Sequence, residues 1–132
     1  LTEKELNRVR DLHGRIRDTE KFLATLRKRA EDLTPKLDGM PHAQTIQSKV
    51  ELLALDIVEK CNELNSLHEQ IIDVTAHLTE QLCHDVPEPN QRTVMILRYV
   101  SCLRFRDIAL AMELSERKVF ELHHTAIETV LD

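Results

Sequence analysis

A chain of 132 residues, 42% hydrophobic and 31% charged, has material for one ordinary domain or two small units. It holds four aromatic residues, few β-type runs and no apolar run near the roughly 18 residues a membrane span needs, which excludes a large sheet and a membrane helix. The expected class is all-α, with no membrane partner. No signal-peptide pattern is present, and Cys61, Cys83 and Cys102 are odd in number and widely spaced, as suits reduced thiols, so a cytoplasmic location is expected. The chain opens on Leu1, so the loss of a start methionine, or of a longer leading segment, is expected.

The net charge of −5 is unevenly spread. Residues 1–33 carry nine Lys/Arg against seven Asp/Glu, residues 34–89 three against ten, and residues 90–132 six against six. A C-terminal unit with balanced charge has no broad basic surface for non-specific attraction to nucleic acid, so any DNA contact must be local, paired or assisted.

From Val9 to Leu33 the apolar residues keep a heptad. Val9, Ile16, Leu23 and Ala30 occupy one core row; Leu12, Thr19, Leu26 and Leu33 occupy the other. Thr34 to Thr45 breaks the pattern with Pro35, Asp38-Gly39 and Pro41, and Thr45 is positioned to cap the next helix. A second heptad run follows, with Val50, Ile57, Leu64, Ile71 and Leu78 in one row and Leu53, Leu67 and Val74 in the other, interrupted by Lys60 and Gln81. Two such helices joined by a turn predict an antiparallel hairpin. Its apolar seam exceeds what one hairpin covers, so a homodimer through Val50, Leu53, Ile57, Leu64 and Ile71 is expected.

Asp85 to Asn90 contains Pro87 and Pro89, which favour extended backbone, and Asn90 is placed to cap a helix through Val94, Leu97 and Val100. The expected division is therefore a hairpin at 1–84, a linker at 85–89 about which the C-terminal unit swivels, and a three-helix unit at 90–132. Within the last, Ile108, Ala109 and Met112 give a short helix its apolar face, Leu114 plugs a turn, and Val119 and Leu122 seat a second helix. Ala109 is small enough for a steep crossing. Ser115 is the expected N-cap of the second helix, while Glu113 stands at a turn position where the left-handed backbone usually takes Gly.

The stretch Arg92 to Val130, through Leu97-Arg98-Tyr99, Asp107-Ile108-Ala109 and Ser115 followed by Val119, resembles region 4 of bacterial sigma factors. With a coiled-coil-prone first half and the turn from Asp38 to His42, the whole chain resembles the small phage and mobile-element regulators of Gram-positive bacteria, the sigma-like late-transcription activators of the ArpU/RinA kind. The resemblance implies a regulator that binds promoter DNA through a helix-turn-helix, with Glu116, Arg117, Phe120 and Glu121 at the DNA-facing positions. Glu116, Phe120 and Glu121 depart from the basic or amide residues that sigma factors place there.

Around the turn, Arg104, Arg106, Ser115, Arg117, Lys118 and His124 complete the candidate double-stranded DNA contacts, with Arg117 and Lys118 for bases or phosphates and Glu121 for a cytosine amino group. The alternative is a helical adaptor that grips RNA polymerase or another regulator without touching DNA. His77, Cys83-His84 and His123-His124 lack the paired spacing of a zinc site, so neither a metal nor another cofactor is expected. No phosphate loop, nucleophile elbow or convergent carboxylate pair is present, and an enzyme is not expected.

Overall fold

The computed structural model describes residues 1–33 and 43–132. Among them every regular element is helical: α1 (Glu3–Leu6), α2 (Arg8–Leu33), α3 (Ala43–Asp85), α4 (Pro89–Tyr99), α5 (Phe105–Met112) and α6 (Glu116–Val130). No helix of the described residues is long and apolar enough to cross a membrane. Of the break read at Thr34 to Thr45, residues 34–42, and with them the turn from Asp38 to His42, lie outside the described residues. Thr45 falls inside α3 and does not cap it, because that helix already begins at Ala43.

The chain forms two compact units, residues 14–69 and residues 1–13 with 70–132. In the first, α2 buries Ile16, Thr19, Leu23 and Leu26, and α3 buries Leu67. These are heptad positions, and Leu53, Ile57 and Leu64 on α3 are half-buried. The interrupting Lys60 is accommodated by position: its ammonium lies 5.0 Å from the centre of the Phe22 ring and 3.0 Å from Glu63. Nearby, the Arg27 guanidinium donates to Cys61 Sγ at 3.9 Å.

The second unit contains two cores. Leu1, Leu6, Val9, Leu78, Leu82, Val86, Met95, Ala126 and Val130 make one. Val94, Ile108, Ala109, Val119 and Leu122 make the other. The backbone nitrogen of Leu1 donates to the Val130 carbonyl at 3.1 Å, and Asp132 N–H donates to the Leu1 carbonyl at 3.1 Å.

This partition corrects the expected division at 84 and 90. The final turns of α3 belong with α4 to α6, because Leu78, Leu82 and Val86 share a core with Met95 and Val130. Residues 85–89 are not a free swivel either: Val86 is buried, and the Arg92 side chain donates to the carbonyls of Val86 at 2.9 Å and Pro87 at 2.8 Å. Nor does Asn90 cap α4. Glu88 is the N-cap, its carboxylate accepting from the Asn90 and Gln91 N–H groups, with Pro89 in the first turn where its missing N–H costs nothing.

The expected homodimer residues Leu53, Ile57, Leu64 and Ile71 are all half-buried, as is Val50. Ile71 packs against the first core of its unit. Among the described residues, the large apolar side chains that α3 leaves exposed are others, Leu52, Leu55, Val58 and Ile72.

The turn between α5 and α6 is built as the sequence suggests. Glu113 is left-handed, with φ 56° and ψ 40°. Its N–H donates to the Leu110 carbonyl, and Leu114 N–H reaches back to the Ala109 carbonyl at 3.0 Å, the paired bonds of a Schellman motif. Leu114 and Ala109 also share the second core, the apolar contact that accompanies this motif. Because a side chain in left-handed backbone costs about 1 kcal/mol relative to Gly, Glu113→Gly should stabilise the protein by about 0.5–1 kcal/mol. A raised urea midpoint with unchanged slope would show it.

Candidate nucleic-acid interface

Ser115 starts α6 from extended backbone, and its hydroxyl accepts from Lys118 N–H at 3.1 Å. Val119, Leu122, Ala126 and Val130 turn inward from that start. The first-turn residues and Phe120, Glu121 and His124 then face outward. Glu116, Arg117, Lys118, Phe120, Glu121 and His124 are all exposed, as are Ser115 and, at the start of α5, Arg104 and Arg106. All nine sequence-derived DNA candidates are thus accessible on α5, the turn and the first turns of α6.

Their pairing is loose. Arg117 Nε lies 3.5 Å from Glu121, with the Arg117 side chain 91% exposed, and His124 lies 3.0 Å from Glu128. Solvated pairs of this kind are worth well under about 1 kcal/mol, so Arg117 can leave Glu121 for a stronger anion. Phe120 is the apolar member of the surface. Its ring lies 4.7 Å from that of Phe105, which fixes it while leaving about half of it in solvent.

Behind Phe120 lies a cluster that the sequence reading did not assemble. The Arg98 guanidinium stacks 4.3 Å above Phe105, and Arg98 also donates to the Leu103 carbonyl at 3.0 Å. His123 meets Phe105 edge-on at 4.9 Å between centroids, and His123 Nε2 lies 2.7 Å from the Tyr99 hydroxyl. One side chain from α5 is therefore gripped by residues of α4 and α6. The available signal was the scarcity of aromatic residues, since three of the four fall between 99 and 120.

The electrostatics of this cluster favour uncharged groups. Burial raises the Tyr99 pKa, keeping the phenol protonated and able to donate to a neutral imidazole. Burial, then Arg98, then His124 lower the His123 pKa below 6.5. Burial raises Cys102 and lowers Arg98, the latter also through Arg10. Among the described residues no three His, Cys, Asp or Glu side chains gather as a metal site. Compared with known protein families, curated proteins and solved structures, the chain matches none of them.

The unfolded chain binds the His123 proton more readily than the folded one. Its contribution to stability is therefore complete above about pH 6.5 and is lost as pH falls through the lower folded value. Chemical denaturation should give a smaller unfolding free energy at pH 5.5 than at pH 7.5, and His123→Gln should shrink that difference. An unchanged pH dependence in the variant would assign the effect to other groups.

Proposed function

We propose that the chain is a transcription regulator of the phage or mobile-element type that binds promoter double-stranded DNA through a helix-turn-helix formed by α5, the Glu113–Ser115 turn and α6. The observation that carries this reading is the fixed turn joined to a free face. Ala109 is buried at the contact of α5 with α6, Leu114 closes the corner and Ser115 caps α6, so the outward residues of α6 are held by a rigid support. The likeness of Arg92 to Val130 to sigma region 4 supports the same assignment.

In this arrangement α6 enters the major groove from its N-terminal end. Arg117 reaches a guanine edge or phosphate, Glu121 accepts from a cytosine amino group, and Phe120 offers its ring to an apolar edge such as a thymine methyl. Arg104 and Arg106, at the start of α5, meet the phosphates on either side of the groove. Ser115 acts through the helix, as its cap. The heptad helices of residues 14–69 form an arm of hairpin type, and a second copy of the chain would double the contact and offset the balanced charge of residues 90–132.

Gel-shift measurements at two salt concentrations, on a duplex selected from a randomised pool, test the assignment. Arg117→Ala should weaken binding by about 1–3 kcal/mol. Lys118→Ala should lower affinity evenly across sequences and reduce the salt slope by about one. Both variants should melt as the wild type does. Equal binding by all three, with regulation intact in a reporter assay, would replace this reading with the adaptor that holds RNA polymerase or another regulator without touching DNA.

A further inference from the structure

Within the 14–69 unit, α3 turns its heptad rows inward and leaves a second apolar stripe outside. Leu52, Leu55 and Val58, at intervals of three residues, are 63%, 67% and 57% exposed. Isolated exposed leucines are ordinary, but three on consecutive turns of one helix face form a contiguous strip. Carboxylates border it: Glu51 and Glu59 lie one turn to either side of Leu55, and Asp56 one turn beyond Leu52, all exposed. Lys49 is the one cation between residues 49 and 59, and the following Lys60 is engaged over Phe22 and with Glu63.

The charges decide which occupant fits. A second copy laid antiparallel and centred on Leu55 would match Leu52 with Val58, yet it would also set Glu51 against Glu59. A parallel copy would set each carboxylate against its own equivalent. Both symmetric pairings place like charges at the positions that select partner and orientation in helix pairs. A helix with the opposite edge meets no such conflict. We infer that the Leu52, Leu55 and Val58 face docks an amphipathic helix of another protein whose apolar side is edged by Lys or Arg, in the helix-on-helix manner of many regulatory contacts. This site is separate from α6 and holds whether or not α6 meets DNA.

The test uses the full chain and two labelled synthetic helical peptides with the same leucine stripe, one edged by lysine and the other by glutamate. Fluorescence anisotropy should show saturable binding of the lysine-edged peptide, at least about tenfold tighter than the glutamate-edged one. Leu55→Ser, which leaves the charge unchanged, should weaken it by about tenfold, separating docking from general attraction to an acidic protein. The double variant Glu51→Lys with Glu59→Lys should reverse the preference between peptides. Since all three positions are exposed, the variants should keep the wild-type melting curve. Indifference to Leu55→Ser or to the peptide edge would overturn the proposal, as would sedimentation showing a dimer of the chain alone that Leu55→Ser dissociates, which would give the face to a second copy.

Discussion

Two adjacent residues of α4 hold the larger unit together. Val94 and Met95 are both fully buried, yet they enter different cores: Met95 packs with Leu6, Val9, Leu82 and Val130, and Val94 with Ile108, Ala109, Val119 and Leu122. Consecutive helical positions stand about 100° apart, so one short helix can be the wall of two cores only if its rotation about its own axis is fixed. The Glu88 cap, Pro89 in the first turn and the Arg92 bonds to the preceding carbonyls set that rotation at its start. Each of the two side chains contributes about 1.5–3 kcal/mol by burial. Their joint effect is larger in kind, because it ties the α5–α6 pair to the ends of the chain.

The candidate interface follows from this support. Because α6 spends Val119 and Leu122 on one core and Ala126 and Val130 on the other, its opposite face is defined along its whole length. The left-handed Glu113 and the Ser115 cap then determine where that face begins. Phe105 supplies the remaining constraint: Arg98 covers it, His123 meets its edge, and Phe120 rests on it at the surface. A side chain held that way can present an apolar ring to a ligand without first losing much rotational freedom.

Much of this was legible from spacing alone. The heptad rows from Val9 and from Val50 mark buried or half-buried positions through Leu78, with Gln81 turned to solvent, because a helix face toward a partner leaves a period that survives in the sequence. The small Ala109, the Ser115 cap and the strained Glu113 were readable because each answers a local backbone demand. Unit boundaries were not. The heptads of α2 and α3 run unbroken past residues 13 and 69, and periodicity records that a face is buried without recording which core buries it. The Glu88 cap was missed because Asn90 is the better intrinsic capping residue, while Pro89 fits the first turn only when the residue before it is the cap. The Leu52, Leu55 and Val58 stripe lies on the side of α3 away from the heptad rows, where no core demands it, and contacts among Arg98, Tyr99, Phe105 and His123 join residues too far apart in the chain for any local pattern.

The central claim is that the outward face of α5 and α6 is the surface that meets DNA. Backbone amide NMR of the full chain, titrated with the selected duplex, tests it most directly. The account predicts shift changes concentrated at Arg104 to Asp107 and Glu116 to His124, with the amides around Leu55 unmoved. Changes centred on α3, or none at all at duplex concentrations that saturate the gel shift, would contradict it.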